Sequence, residues 1–496
     1  MDTQASRRFI QLTIALTVAL GAQAVAASVE GRMRQLIGGQ DLRGTRVALM
    51  VRDLSTGRTV ASIHPDRRMI PASNQKLITT AAALHKLGPD FRFKTRLKQL
   101  PPAAGQSKPR LLIKGDGDPA FGDPVLLERY GFSVDQLLGQ WVKAVKKTEA
   151  TQYSHLLVDD RIFDRKFVHD DWPRGQLIRH YCAQVAGINF HENVLHVLPV
   201  PAKEAGQAPT IELYPQVPFM EKTNRAVTGR DGMFAIDRRL GTNKLRFTGA
   251  VRSQPSDPYK LTFHDPPMVF GRVFNHRLEE SGVSIESVAR PREDARLPGG
   301  QTLAVATTTL KLVLQRTNRQ SENMFAEALV KRLGRAGTGR PGSWQNGTAV
   351  IRNFLRHQLG PASAGVSLAD GSGMSRRNKV TPRLLVKLLA TMQQNPELGP
   401  IYRKSLAKAG KTGTLDDRMG NLTGQVYGKS GYLNGVSALS GYLVVPRRGG
   451  GEKTLAFSML FNGFSPPLRN HDMKRLQNQL VSILDEAYAQ PANVGG

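Results

Sequence analysis

The chain predicts an α+β fold: an antiparallel sheet flanked by helices, interrupted by a large β-rich insert. Three observations carry this reading. Near the amino terminus, two short strand-like runs lead into an amphipathic helix; after Gly300, helical patterning resumes and ends in a strand hairpin and a closing helix. Between them, from about Arg92 to Gly300, short strand-like runs alternate with Pro- and Gly-rich turns. A length of 496 residues exceeds one ordinary domain. An apolar fraction of 40% with 22% charged residues describes a globular chain, neither disordered nor fibrous.

Val47 to Arg52 and Thr59 to Ile63 read as strands around the turn Ser55-Thr56-Gly57. A helix begins near Ser73 and ends at Gly88, with Leu77, Ala81, Leu84 and Leu87 on one face. In the middle region Arg110 to Lys114 and Leu156 to Asp159 are strand-like, helices are few, and there is room for two subdomains. Thr309 to Arg316 and Asn323 to Leu333 form a helix pair joined by a polar loop, the second stopped by Gly334. A further helix fits Thr381 to Gln393. Strand-like Gly424 to Tyr432 and Val436 to Val445 flank Leu433-Asn434-Gly435, an Asn-Gly hairpin signal, and Thr454 to Leu460 supplies a third strand. The last helix carries Met473, Leu476, Leu480, Ile483 and Leu484 as a stripe expected to pack on a sheet rather than on a membrane surface.

The formal net charge of +29 calls for an anionic partner: nucleic acid, membrane headgroups or an acidic polymer such as a cell wall. The basic residues are scattered, without a helix-turn-helix, RNA-binding or zinc-finger pattern, so nucleic acid is set aside. Arg7 and Arg8, the apolar run Phe9 to Ala22, and Ala24 and Ala26 have the layout of a secretory signal, residues 1–26, cleaved before Ala27. A membrane anchor is the competing reading, but the run falls short of the roughly 20 residues a spanning helix needs. Cys182 stands alone, which excludes an intramolecular disulfide, and it reads as a buried small hydrophobe rather than a nucleophile.

Ser73-Asn74-Gln75-Lys76 opens the first helix, and a three-residue offset puts both ends on one helix face. A serine hydroxyl needs a base to take its proton, and a lysine serves only if desolvation or neighbouring cations lower its pKa. Backbone N–H groups at the helix start suit an oxyanion. Alone the pattern also fits a capping serine beside a surface lysine. Ser321-Glu322-Asn323, in the loop between two helices, adds a hydroxyl for proton relay and an amide for a substrate carbonyl. The third element required is a basic residue, a hydroxyl and a glycine on a strand, to pin a carboxylate and offer an N–H to the oxyanion. Two triplets compete: Lys411-Thr412-Gly413, followed by Leu415-Asp416-Asp417-Arg418 without strand alternation, and Lys429-Ser430-Gly431, which runs into the hairpin. Strand context selects Lys429.

The set Ser73-x-x-Lys76, Ser321-x-Asn323 and Lys429-Ser430-Gly431 resembles the penicillin-binding proteins and serine β-lactamases. The long stretch between Lys76 and Ser321 resembles the class C low-molecular-mass penicillin-binding proteins, the D-alanyl-D-alanine carboxypeptidase/endopeptidase family of the penicillin-binding protein 4 type. Further matches are Gly115-Asp116-Gly117-Asp118-Pro119, Val158-Asp159-Asp160-Arg161-Ile162-Phe163, Asn189-Phe190-His191-Glu192-Asn193, Asp370-Gly371-Ser372-Gly373-Met374-Ser375-Arg376 and Gly435-Val436-Ser437-Ala438-Leu439-Ser440-Gly441. Ser430 departs from the usual Thr but keeps the hydroxyl; Tyr432 stands where a small hydroxyl residue is more usual, and its bulk narrows the cleft. Asp116 and Asp118 lack the full series of a calcium loop, so a turn is expected there. The Asp370 loop is expected to be structural, shaping the cleft rim through its glycines.

The resemblance implies a β-lactamase/DD-peptidase-like catalytic domain from residues 27–91 and 296–496, with residues 92–295 inserted. It implies that Lys76 takes the Ser73 proton, that the N–H groups of Ser73 and Tyr432 hold the oxyanion, and that Ser321 relays a proton. It further implies that Asn323 holds the acyl-chain amide, that Lys429 and Ser430 bind the terminal carboxylate beside Gly431, and that Asp159 meets a substrate ammonium. No metal or organic cofactor is implied. The implied partners are peptidoglycan peptides, β-lactams as covalent inhibitors and an anionic envelope polymer; the implied location is secreted, in the bacterial periplasm. A catalytically inactive wall-binding protein and a β-lactamase are the alternatives.

Overall fold

The computed structural model describes residues 28–447 and 451–489; the expected export signal lies outside them. The described residues form two compact units. One holds the chain up to Ala82, Gln315–Ser321 and the chain from Arg352 on; the other holds Ala83–Leu314 and Glu322–Ile351.

The first unit is built on a six-stranded antiparallel sheet in the order Ala407–Lys408, Gln425–Leu433, Val436–Pro446, Glu452–Asn462, Arg46–Asp53, Thr59–Ile63. The hairpin forms as the sequence predicts, with a tighter turn: Leu433 pairs with Val436, leaving Asn434 and Gly435, the latter at φ +70°. Helix 28–38 and helix Asn470–Tyr488 cover one face of the sheet. There Val29, Met33, Met473, Leu476, Leu480 and Leu484 share a core with Leu49, Val51, Leu439, Leu443, Phe457 and Phe461. The stripe on the last helix therefore packs on the sheet. Helix Pro382–Gln394 lies against three of the strands, and the buried Tyr442 hydroxyl donates to the Leu389 carbonyl at 2.8 Å. Val436–Pro446 is buried at every position but the last, so its sequence shows small and apolar residues instead of alternation.

The second unit carries a mixed five-stranded sheet in the order Ser284–Ala289, Gln152–Asp159, Arg110–Lys114, Arg92–Leu100, Gln301–Thr309, with three small sheets beside it. It is rich in strands, but it also holds helices Pro124–Arg129, Val134–Lys146 and Pro266–Glu280, which the reading of few helices passed over. Topology requires them. Gln152–Asp159 runs parallel to both its neighbours, and parallel neighbours need a crossover, which helices usually supply. The available signal was the capping box of Ser133 with Gln136. Phe121, Trp141, Phe190, Phe270 and Phe274 fill the core, with Phe190 and Phe270 centroids 4.7 Å apart. Cys182 is buried, and burial pushes its thiol up to about 12, leaving almost no thiolate at neutral pH.

One helix end needs correcting. The helix from Asn323 does not stop at Gly334; it runs to Thr338 and ends on Gly339 at φ +70°. A Cβ on Gly334 would lie 1.8 Å from Asn346 Oδ1, so this glycine marks close packing against the start of the next helix.

Candidate active site

Ser73 occupies the middle of a single 3-10 turn, Ala72–Asn74, which feeds directly into helix Gln75–Leu87. Lys76 Nζ donates to Ser73 Oγ at 2.9 Å and to the Ser372 carbonyl at 3.1 Å. Lys76 is fully buried while Ser73 is only half-buried, so the hydroxyl stands at the border of solvent and its amine partner behind it. The Ser372 carbonyl is delivered by a loop wound on the buried carboxylate of Asp370. That carboxylate accepts from the N–H of Gly373 (2.9 Å), the N–H of Ser375 (2.6 Å) and Asn378 Nδ2 (2.7 Å). Thr79 Oγ1, one turn beyond Gln75, donates to the Gly371 carbonyl at 2.8 Å and clips the loop to the helix. The glycine-rich loop is thus a scaffold, as expected, that also aims one carbonyl at Lys76.

The strand Gln425–Leu433 is fastened to the same turn. Asn74 Nδ2 donates to the Lys429 carbonyl at 2.8 Å, and Asn74 Oδ1 accepts from Ser440 Oγ at 2.6 Å. Ser440 Oγ in turn accepts from Ser458 Oγ at 2.9 Å, completing a buried polar chain across three strands. Asn74 was not singled out by sequence reasoning. The signal was indirect: serines inside otherwise apolar strands must find partners. At Gly431 a Cβ would lie 2.9 Å from Ser73 N and 3.0 Å from Pro71 O, so only glycine lets this strand approach the Ser73 backbone. Lys429 is buried and its Nζ donates to the Ser430 carbonyl at 2.8 Å. Tyr432 is 55% exposed.

The two competing triplets separate as strand alternation predicted. Lys429-Ser430-Gly431 lies in the strand, whereas Thr412 Oγ1 accepts from Lys408 N–H at 3.0 Å and Gly413 opens a 3-10 turn. Ser321 belongs to the same unit as Ser73 and holds φ +65°, an uncommon conformation for a serine. The segment before it is anchored through Asn318 Nδ2, which donates to Thr80 Oγ1 at 3.2 Å and Ser405 Oγ at 2.8 Å.

Asn323 and Asp159 fall in the other unit. Asn323 Nδ2 donates to the Tyr181 carbonyl at 2.9 Å. Asp159 ends the strand Gln152–Asp159 and takes both arms of Arg161, at 2.7 and 3.0 Å. It lines a cavity of about 290 Å³ with Lys114, Arg161, Glu293 and Arg335. An ammonium reaching Asp159 competes with that fork. Asp118 is a turn residue: its carboxyl accepts from Thr308 Oγ1 at 2.6 Å and from Ala120 N–H at 2.9 Å, and burial pushes it up to about 7.

This arrangement suits acyl transfer: a nucleophile–amine pair, a loop that holds the amine, and a strand carrying a buried lysine and a hydroxyl past the nucleophile's own N–H. The comparisons agree. A D-alanyl-D-alanine carboxypeptidase of Actinomadura sp. is 33% identical over 451 residues, covering 86% of this chain and 79% of that protein. The D-alanyl-D-alanine carboxypeptidase DacB of Haemophilus influenzae is 25% identical over 438 residues, covering 85% and 86%. The solved structure of penicillin binding protein 4 from Haemophilus influenzae superposes with a TM-score of 0.74 at 21% identity, covering 93% of this chain and 99% of that one. Residues 29–487 match one family along their whole length, and the chain belongs to it: the D-Ala-D-Ala carboxypeptidase 3 (S13) family.

Proposed function

We propose that the protein cleaves D-alanyl peptide bonds of peptidoglycan through an ester on Ser73, with Lys76 as its base. The observation that carries this assignment is the 2.9 Å hydrogen bond between Lys76 Nζ and Ser73 Oγ, buried on the lysine side and open on the serine side. A lysine acts as base in its neutral form, which exclusion of water favours. Ser73 Oγ attacks the carbonyl carbon of the penultimate D-Ala as Lys76 takes its proton. The developing oxyanion is held by the N–H groups of Ser73 and Tyr432. The C–N bond then breaks, and the leaving amine collects the proton through Ser321 and Lys76. Water, deprotonated by Lys76, hydrolyses the ester and restores Ser73. Asn323 holds the acyl-chain amide, while Lys429 and Ser430 bind the terminal carboxylate. Where the leaving group is a terminal D-Ala the enzyme is a carboxypeptidase; where it is the amine of a cross-link it is an endopeptidase.

β-Lactams enter the same chemistry as acylating agents; the Haemophilus influenzae protein of like fold has been solved in complex with one. The site of action is the bacterial periplasm, reached through the export signal at residues 1–26, a reading supported by Arg7, Arg8 and the apolar run behind them. The test is covalent labelling with a fluorescent penicillin. The wild type takes one label, and Ser73→Ala takes none while keeping its thermal unfolding transition. A label that persists on another serine overturns the assignment.

A further inference from the structure

We propose that Thr414 is a positioning residue that sets the proton direction of the Ser430 hydroxyl, and through it the grip on the substrate's terminal carboxylate. The proposal rests on the reading of Ser430 as a carboxylate ligand. Ser430 Oγ donates to Thr414 Oγ1 at 2.7 Å. Thr414 sits in the 3-10 turn Gly413–Leu415, just beyond the triplet that shares the motif's lettering without its strand.

That turn is fixed from three directions within one unit. Leu415 is fully buried in the sheet core, and its carbonyl accepts from Gly410 N–H at 2.8 Å. Arg418, one turn on, is buried and bonds to Gln477 Oε1 at 3.1 Å and Asn478 Oδ1 at 2.7 Å on the last helix. Gly413, at φ +65°, has room for no Cβ, which would lie 2.3 Å from the Arg319 carbonyl oxygen. The turn therefore abuts the backbone two residues before Ser321 and holds a hydroxyl against Ser430. A side chain presented from so constrained a turn is a stationary reference for its partner.

The chemistry of two facing hydroxyls gives that reference a use. A hydroxyl has one proton to donate and two lone pairs to accept. In the arrangement seen, Ser430 gives its proton to Thr414. To donate to a carboxylate, Ser430 must turn that proton toward the substrate. Its oxygen then stays in place if Thr414 reverses and donates to it. Thr414 can accept in the empty site and donate in the loaded one without backbone movement. Donation from Thr414 also polarises the Ser430 O–H toward the anion.

The experiment pairs two substrates, a peptide ending in D-Ala-D-Ala with a free carboxylate and the same peptide as its terminal amide. In Thr414→Val, KM for the carboxylate peptide should rise roughly three- to tenfold, the reach of one hydrogen bond. Its kcat should stay within about twofold, and the preference for carboxylate over amide should shrink by the KM factor. Thr414→Ser should restore the preference. Urea unfolding checks each variant, and Thr414→Ala replaces the valine if that variant does not fold. An unchanged preference in the folded variant overturns the proposal. So does an equal loss on both substrates, which would mean that Thr414 only supports the turn. Ser430→Ala separates the premise: if it keeps full carboxylate preference, the role given to Ser430 falls, and the proposal with it.

Discussion

Lys429 and Lys411 carry the same chemical lettering in two conformations, and the difference is where the carboxylate anchor is decided. Lys429 is buried in the strand tied by Asn74 to the Ser73 turn, and Gly431 runs past the Ser73 N–H. Lys411 is exposed in a loop. Losing one charge-assisted hydrogen bond costs roughly 1.5–3 kcal/mol, or one to two powers of ten in rate or affinity. Steady-state turnover of a carboxylate-terminated peptide should therefore fall by about that much in Lys429→Ala and barely change in Lys411→Ala. Equal losses, or a larger one at Lys411, would reverse the assignment. Ser73, Lys76 and Lys429 were legible because each belongs to a pattern with a local period, a helix offset or a strand. Asn74, Ser372 and Thr414 were not. Asn74 meets Lys429 across 355 positions and Lys76 meets Ser372 across 296, and no local pattern encodes such pairs.

Among the elements, those marked by a local signal, a turn dipeptide or an apolar stripe, are legible in the sequence. The hairpin of Gln425–Leu433 and Val436–Pro446 announced itself through Asn434-Gly435, and the last helix through its apolar stripe. The helix Val134–Lys146 carries its capping box but lies among Pro- and Gly-rich turns, whose pattern outweighs that one local signal. Gly334 carries a signal with two meanings: glycine ends helices, but here it permits close packing inside one. Asn346 accepts from Ser343 N–H at 2.7 Å and donates to the Pro341 carbonyl at 2.9 Å, so it is held where a Cβ on Gly334 would stand. Gly334→Ala should then lose about 2–4 kcal/mol, combining overpacking with a damaged cap, despite alanine's better helix propensity. Urea denaturation measures it. A neutral or stabilising result would mean that the glycine merely happens to lie in the helix.

At the scale of the whole molecule the unabsorbed feature is charge. The formal balance of +29 is far more than carboxylate binding at one site requires. Among the described residues no helix is long and apolar enough to cross a membrane. We propose that this charge serves long-range attraction to an anionic envelope polymer, because a scattered positive surface needs no fixed register with its partner. Such attraction weakens with salt, as the screening length contracts from about 10 Å at 0.1 M to about 3 Å at 1 M. Co-sedimentation of the Ser73→Ala protein with purified sacculi should accordingly be strong at the lower salt and largely lost at the higher. Turnover of a small soluble peptide by the wild type should change little between the two, since the Lys76–Ser73 pair is sheltered on the lysine side. Binding that survives 1 M salt would point instead to a short-range wall site. Peptide turnover that fell in parallel with binding would place the salt effect in the active site and remove the tether.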